Sequence, residues 1–129
     1  NWRVFKEHLE GKRRLRRNFA ELADVSMRMR EALLRGDWRG LGRLLRREWQ
    51  LRRRNAAAIS TSTIERLIGV ARRRGAQAGK VCGAGGGGCV VFLVPPQRRG
   101  LVAQALAHAG ATLLPFRIAR RGARVGRLP

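Results

Sequence analysis

From Arg13 onward the apolar residues recur at helical spacing: Leu15, Phe19, Leu22, Met29 and Leu33, with Ser26 filling the one gap. Steps of three and four put them on one face, which predicts an amphipathic helix of about five turns with an arginine-rich outer face. Gly36 stands where a glycine ends a helix. Asp37 then caps a second helix that turns Trp38, Leu41, Leu44, Leu45 and Leu51 inward. So short a join predicts an antiparallel helical hairpin. Glu48 lies on or beside that second stripe, where a nearby arginine partner accounts for it better than a catalytic role. Ahead of the hairpin, Trp2, Val4, Phe5 and Leu9 form a shorter stripe before Gly11, readable as a helical turn or as the tail of a preceding domain.

Residues 56–61 break the period, and Ser62-Thr63-Ile64-Glu65 then reads as a capping box. The helix it opens buries Ile64, Leu67, Ile68 and Ala71 and ends in Arg72-Arg73-Arg74-Gly75. Cations at a helix C-terminus are favoured by the dipole, so this cluster needs no ligand to explain it. Residues 78–82 read as a short strand and 89–94 as a longer one. The longer one is apolar on both faces, which predicts a central place in a sheet covered by helices. Pro95-Pro96 ends it and opens a fourth helix, with Leu101, Val102, Ala105, Leu106 and Ala109 inward and Gly110 at its end. Leu114, Phe116 and Ile118 alternate as a third strand, and Pro115 within it suggests an edge or a bulge. Arg120-Arg121-Gly122 reads as a turn, and residues 123–128 as a last short strand. The predicted class is α+β, with helices packed on one face of a small, mainly antiparallel sheet.

Length and composition narrow the setting. A chain of 129 residues is expected to be a single domain. No stretch approaches the roughly 20 apolar residues of a membrane span, and no secretory signal is visible, so no membrane partner is expected. The chain begins at Asn1 and not at Met, which suggests that it was processed, cut or taken from a longer one. The formal net charge is +21, and Lys6, Lys12 and Lys80 are the only lysines among 29 basic residues. Such an arginine excess attracts polyanions or phosphorylated metabolites, although GC-rich codon usage produces the same bias. Nucleic acid is thus one partner class, but Phe19, Trp38, Phe92 and Phe116 sit on apolar stripes and leave few rings for base stacking. Cys82 and Cys89, with His8 and His108 far away, make no zinc pattern. Two small buried thiols in a reducing cytoplasm are expected, in preference to a disulfide across the loop between them.

That loop is the most specific feature of the chain. Gly83, Gly85, Gly86, Gly87 and Gly88 fall within six positions, with Ala84 among them and an unbroken apolar run from Val90 behind them. A curved run of backbone amides makes a nest for phosphate oxygens. A flexible linker is the blander reading, and the strand that follows directly argues against it. Gly83 to Gly88 satisfies G-x-G-x-x-G, but the dinucleotide fingerprint must open a helix and be followed by an acid about 20 residues on. A GxxxxGK[ST] loop is absent, and a KH-type GXXG loop would join two helices. No nucleophile stands near a base and an orienting group, and no carboxylate pair suggests glycosidase chemistry.

The segment Gly79-Lys80-Val81-Cys82-Gly83-Ala84-Gly85-Gly86-Gly87-Gly88 resembles the third signature motif of the GHMP kinases, which comprise galacto-, homoserine, mevalonate and phosphomevalonate kinases. Gly36-Asp37-Trp38, Glu48-Trp49-Gln50-Leu51-Arg52, Ile59-Ser60-Thr61, Ile64-Glu65 and Val94-Pro95-Pro96 are similar to the sugar-kinase branch that includes the heptose 7-phosphate kinases. The likeness runs from Asn1 to about Val125. Two positions depart from it: Cys82 stands where Ser or Thr is usual, and Gly79 where Ala is common. The resemblance implies residues 1–129 as the C-terminal half of a two-domain kinase whose N-terminal ATP-loop domain is not in this chain. It implies ATP and Mg2+, bound mainly by that N-terminal domain, and a phosphorylated sugar as substrate. Gly83, Ala84, Gly85, Gly86, Gly87 and Gly88 would then line the cleft, supported by Lys80 and Cys82, with no catalytic residue or metal ligand here and no activity by the chain alone. Lys80 has two uses open to it at the loop's base: reaching a phosphate, or capping loop carbonyls. A stand-alone arginine-rich nucleic-acid-binding module, or a regulatory domain, is the alternative.

Overall fold

The computed structural model describes residues 2–119 together with Gly122 and Gly126. Five helices and two strands follow in the order α1 (Trp2–Leu9), α2 (Arg13–Leu34), α3 (Trp38–Arg53), α4 (Ser62–Arg73), β1 (Ala78–Val81), β2 (Val90–Leu93) and α5 (Arg99–His108). Short 3-10 turns at Ala57–Ile59 and Pro96–Arg98 lead into α4 and α5. The fold is α+β, as the hydrophobic pattern predicts. The strands pair antiparallel in the register Ala78↔Leu93, Gly79↔Phe92, Lys80↔Val91, Val81↔Val90.

Helices α2 and α3 form the expected hairpin, with α1 against α2. Gly36, at φ +67°, makes the turn between them, and the Asp37 side chain accepts the Gly40 amide at 2.7 Å. Helix α3 and α4 both pack on β1, and α5 packs on α4. One core cluster joins Trp49, Ile59, Ile64, Ile68 and Val81, and a second joins Ala71, Ala76, Val102 and Leu106. The Phe92 ring packs against both clusters. That placement explains Gly79, its cross-strand partner: a Cβ there would lie 2.7 Å from Phe92 ring carbons.

Several expectations are corrected. The buried line of α2 runs Leu15, Asn18, Val25, Ala32, so the helix is rotated from the predicted stripe, leaving Ser26 and Leu33 outside. Asn18 brought the face round: its amide donates to the Leu51 carbonyl at 2.8 Å and to the Asn55 side chain, both in or just after α3. On α3 Trp38 is exposed, while Glu48 and Trp49 are buried with Leu41 and Leu51. Thr61, not Ser62, caps α4, taking the Ile64 amide at 3.3 Å. Glu65 does not close a capping box: it binds the Ser60 hydroxyl and, at 2.9 Å, Arg53. Leu101 is exposed rather than inward on α5.

The sheet is also smaller than predicted. Among the described residues β2 is one of two strands and not a central one, and Val91 is exposed. Residues 111–119 form no strand, and Leu114, Phe116 and Ile118 are exposed. Their alternation alone does not make a strand: among the described residues this segment joins neither outer edge of the β1–β2 pair. The last predicted strand, at 123–128, and all but Gly122 of the preceding turn lie outside the described residues.

Candidate functional site

Strand β1 runs into the glycine loop and β2 leads out of it. The Cys82 amide donates to the Cys89 carbonyl at 2.8 Å and closes the loop's base. From there the backbone turns back over the 3-10 turn at Ala57–Ile59. The Gly86 amide donates to the Ile59 carbonyl at 3.0 Å. Gly85 sits closer still: a Cβ on it would come within 2.7 Å of that carbonyl oxygen and 2.9 Å of the Ile59 Cα. Gly85 and Gly86 have φ of +95° and +79°, so both contact and conformation require glycine at these two positions.

The rest of the loop faces outward. Gly83, Ala84, Gly87 and Gly88 are exposed, and no side chain closes over Gly83, Gly87 or Gly88. Among the described residues, Gly86 is the one loop glycine whose amide is used in a backbone hydrogen bond. The amides of Gly83, Gly85, Gly87 and Gly88 make no backbone hydrogen bond among the described residues, which leaves them available to an anion, as in a nest. No carboxylate lies in the loop to repel an anion.

Beneath the loop, Lys80 makes a contact that neither of its two expected roles includes. Its ammonium donates to Glu48 Oε1 at 2.7 Å, and its side chain is 21% exposed. The same oxygen accepts from Arg52 Nε at 2.8 Å and from a second Arg52 nitrogen at 2.6 Å. Glu48 Oε2 is buried with no partner. The expected arginine partner of Glu48 is therefore present, and a lysine joins it. This network ties α3 to β1 two residues before the loop begins. Cys82 and Cys89 are both free and exposed, contrary to the expectation of buried thiols.

Two contacts were missed at the sequence level: the seat of the loop on Ala58 and Ile59, and the hold of Glu48 on Lys80 beside its expected arginine. Their only signal was that Ile59 and Glu48 belong to motif segments far from the loop in sequence. A groove of about 490 Å³ lies elsewhere, between the start of α2 and the end of α3, lined by Arg13, Arg14, Arg17, Asn18, Glu21 and Arg54. Among the described residues, no group of three or more His, Cys, Asp or Glu side chains could hold a metal ion. The amides of the loop left without a backbone partner fit phosphate oxygens. No described helix is long and apolar enough to cross a membrane.

The family described as "GHMP kinases C terminal" matches residues 29–112, a span that contains the hairpin end, both strands, the loop and α5. The chain belongs to the GHMP kinase family. It is 29% identical over 103 residues to the D-glycero-alpha-D-manno-heptose 7-phosphate kinase of Campylobacter jejuni, covering 80% of this chain and 30% of that one. It is 41% identical over 71 residues to the mevalonate kinase of Pyrococcus abyssi, covering 55% of this chain and 21% of that one. The crystal structure of L. major mevalonate kinase in complex with R-mevalonate superposes with a TM-score of 0.72 at 25% identity, over 81% of this chain and 32% of that one. The chain thus spans about a third or less of the length of these relatives.

Proposed function

We propose that this chain forms the C-terminal domain of an ATP-dependent small-molecule kinase, with its glycine loop lining the cleft where a phosphoryl group passes to an alcohol. The observation that carries this reading is the loop itself: backbone amides not used in backbone hydrogen bonds, glycines pressed onto the Ile59 turn, and a buried ion network bracing the strand beneath. Fixed amides of this kind stabilise charge that develops on phosphoryl oxygens and need no reorganisation to do so. Bound ATP would supply the phosphoryl group. The residues of this chain would orient its acceptor end and allow a second backbone to approach closely. The ATP loop, the catalytic acid and the Mg2+ ligands are assigned to an N-terminal domain, so the isolated chain is expected to turn over no ATP. A phosphorylated heptose is the favoured substrate, because in sequence the match to the heptose 7-phosphate kinase runs over 80% of this chain against 55% for the Pyrococcus abyssi mevalonate kinase.

The test is a coupled ATP assay on the two-domain protein with heptose 7-phosphate and with mevalonate. The expected result is a higher kcat/KM for the heptose, and the reverse preference would move the substrate to mevalonate. Gly86→Val should lower kcat/KM by well over tenfold, because the new side chain needs a left-handed φ that valine avoids and comes within 3.2 Å of the Ala58 carbonyl. An unchanged rate would remove the loop from the mechanism.

A second reading has one specific observation in its favour. The α2–α3 groove gathers Arg13, Arg14, Arg17 and Arg54, and its one carboxylate, Glu21, is already paired with Arg47 at 2.7 Å. A nucleic-acid backbone could lie there. Tight, steeply salt-dependent binding of a single-stranded oligonucleotide, lost on Arg13→Glu with Arg17→Glu, would support that role.

A further inference from the structure

The groove between the start of α2 and the end of α3 carries a charge that the fold does not account for. Arg13, Arg14 and Arg17 line it from α2, and Arg54 from the end of α3. Arg13 and Arg14 stand in the first turn of α2, where no acidic residue accompanies them and no side chain caps the helix. The positive end of a helix dipole disfavours cations, so these arginines weaken the helix start they occupy. Arg72 and Arg73 are the contrast: they stand in the last turn of α4, where the dipole favours them. Among the described residues, Arg13, Arg14, Arg17 and Arg54 form no ion pair. Glu21, the one carboxylate in the lining, is held by Arg47 at 2.7 Å. Arg14 donates to the Arg54 carbonyl at 3.1 Å and so reaches across from α2 to α3. Asn18, the one buried lining residue, ties the same helices together through the Leu51 carbonyl at 2.8 Å and the Asn55 side chain. Four guanidinium groups therefore border a space of about 490 Å³ whose walls are already fixed. That volume falls within the roughly 300–1,000 Å³ of small-ligand pockets.

We propose that this groove is a binding site for a small anion carrying two or more phosphate groups close together, of the pyrophosphate or triphosphate type. Guanidinium forks match phosphate oxygens two at a time. Arg13 and Arg17, one turn apart on α2, would hold one phosphate, and Arg14 and Arg54 the next. A single phosphate would leave half of these cations without a counter-ion. None of the lining side chains is aromatic, so the groove offers no ring to a base, and the ligand is recognised by its phosphates alone. No lining residue belongs to the glycine loop or to the turn beneath it, so the inference does not rest on the kinase reading.

The test is calorimetric titration of the full chain with inorganic tripolyphosphate at about 0.15 M salt, with backbone amide NMR shifts to locate the ligand. The expected result is a one-to-one complex with shifts centred on residues 13–18 and 54, and an affinity about tenfold or more above that for inorganic phosphate. Arg13→Gln with Arg17→Gln should weaken tripolyphosphate binding by about tenfold or more. Both positions are exposed and glutamine suits a helix, so the variant should keep its fold, which its melting temperature checks. The shift map of the unmutated chain decides the site whatever that variant's stability. Arg72→Gln with Arg73→Gln removes the same charge from the end of α4 and should weaken binding by less than about threefold. Equal losses in the two variants would show diffuse attraction to the net charge of +21 and overturn the proposal. Shifts centred on residues 83–88 would overturn it too, as would a short single-stranded oligonucleotide that binds the groove more tightly than tripolyphosphate.

Discussion

At the scale of single residues, two sites carry more than their local roles. Glu48 is 4% exposed and gathers three donor nitrogens on one oxygen. Removing it would leave the ammonium of Lys80 and the guanidinium of Arg52 partly buried without a counter-ion. Glu48→Ala should therefore destabilise the fold by about 2 kcal/mol, below the full cost of breaking a buried pair because both cations retain some water. Urea unfolding measures this directly, and an unmoved midpoint would show the network to be ornamental. Gly79 presents the opposite case, where the requirement is for space. Gly79→Ala should cost about 1–3 kcal/mol by forcing the Phe92 ring aside. Phe92→Leu in the same chain should recover part of that loss in thermal unfolding, whereas additive losses would deny the contact.

At the scale of elements, the helices were legible because their signals are local. The period of apolar residues, Asp37 ahead of α3, and glycines at Gly36, Gly75 and Gly110 mark starts and ends within a few residues of one another. The cap of α4 shows the limit. Thr61 and Ser62 are adjacent hydroxyl residues, either able to accept an amide, and the entry of the chain from the Ile59 turn decides for Thr61. Thr61→Ala should accordingly lower stability by about 1 kcal/mol while Ser62→Ala leaves it nearly unchanged. Matched chemical denaturation of the two variants separates these outcomes, and a larger loss at Ser62 would restore the cap read from the sequence. The strands were legible as segments but not as a sheet, since apolar residues on both faces of 89–94 say that it is covered and not how many neighbours it has.

At the scale of the whole molecule, charge and surface set the behaviour. A net charge of +21 on 129 residues makes the compact state repel itself. Raising salt from about 0.05 M to about 0.5 M shortens the screening length severalfold and should raise the melting temperature. A falling melting temperature would mean that ion pairs such as Arg47–Glu21 and Arg53–Glu65 outweigh the repulsion. The glycine loop belongs to this scale too. Most of it is exposed, with all but one of its glycine amides free of backbone hydrogen bonds among the described residues, and its chemistry depends on what approaches it.

The amino-acid sequence determined the helices, their ends, the two strands and the loop, because each is specified by residues close together along the chain. The face of α2 was decided only in the tertiary structure, when Asn18 found Leu51 and Asn55 some 33 and 37 residues away. So was the hold of Glu48 on Lys80, across 32 residues. Gly85 and Gly86 could be named as glycines from the sequence, but the reason for them is the Ile59 carbonyl beneath the loop. A periodic pattern records which residues are apolar and how often they recur. It does not record which distant polar group will be brought within hydrogen-bonding reach, and in this chain those distant partners seat the loop.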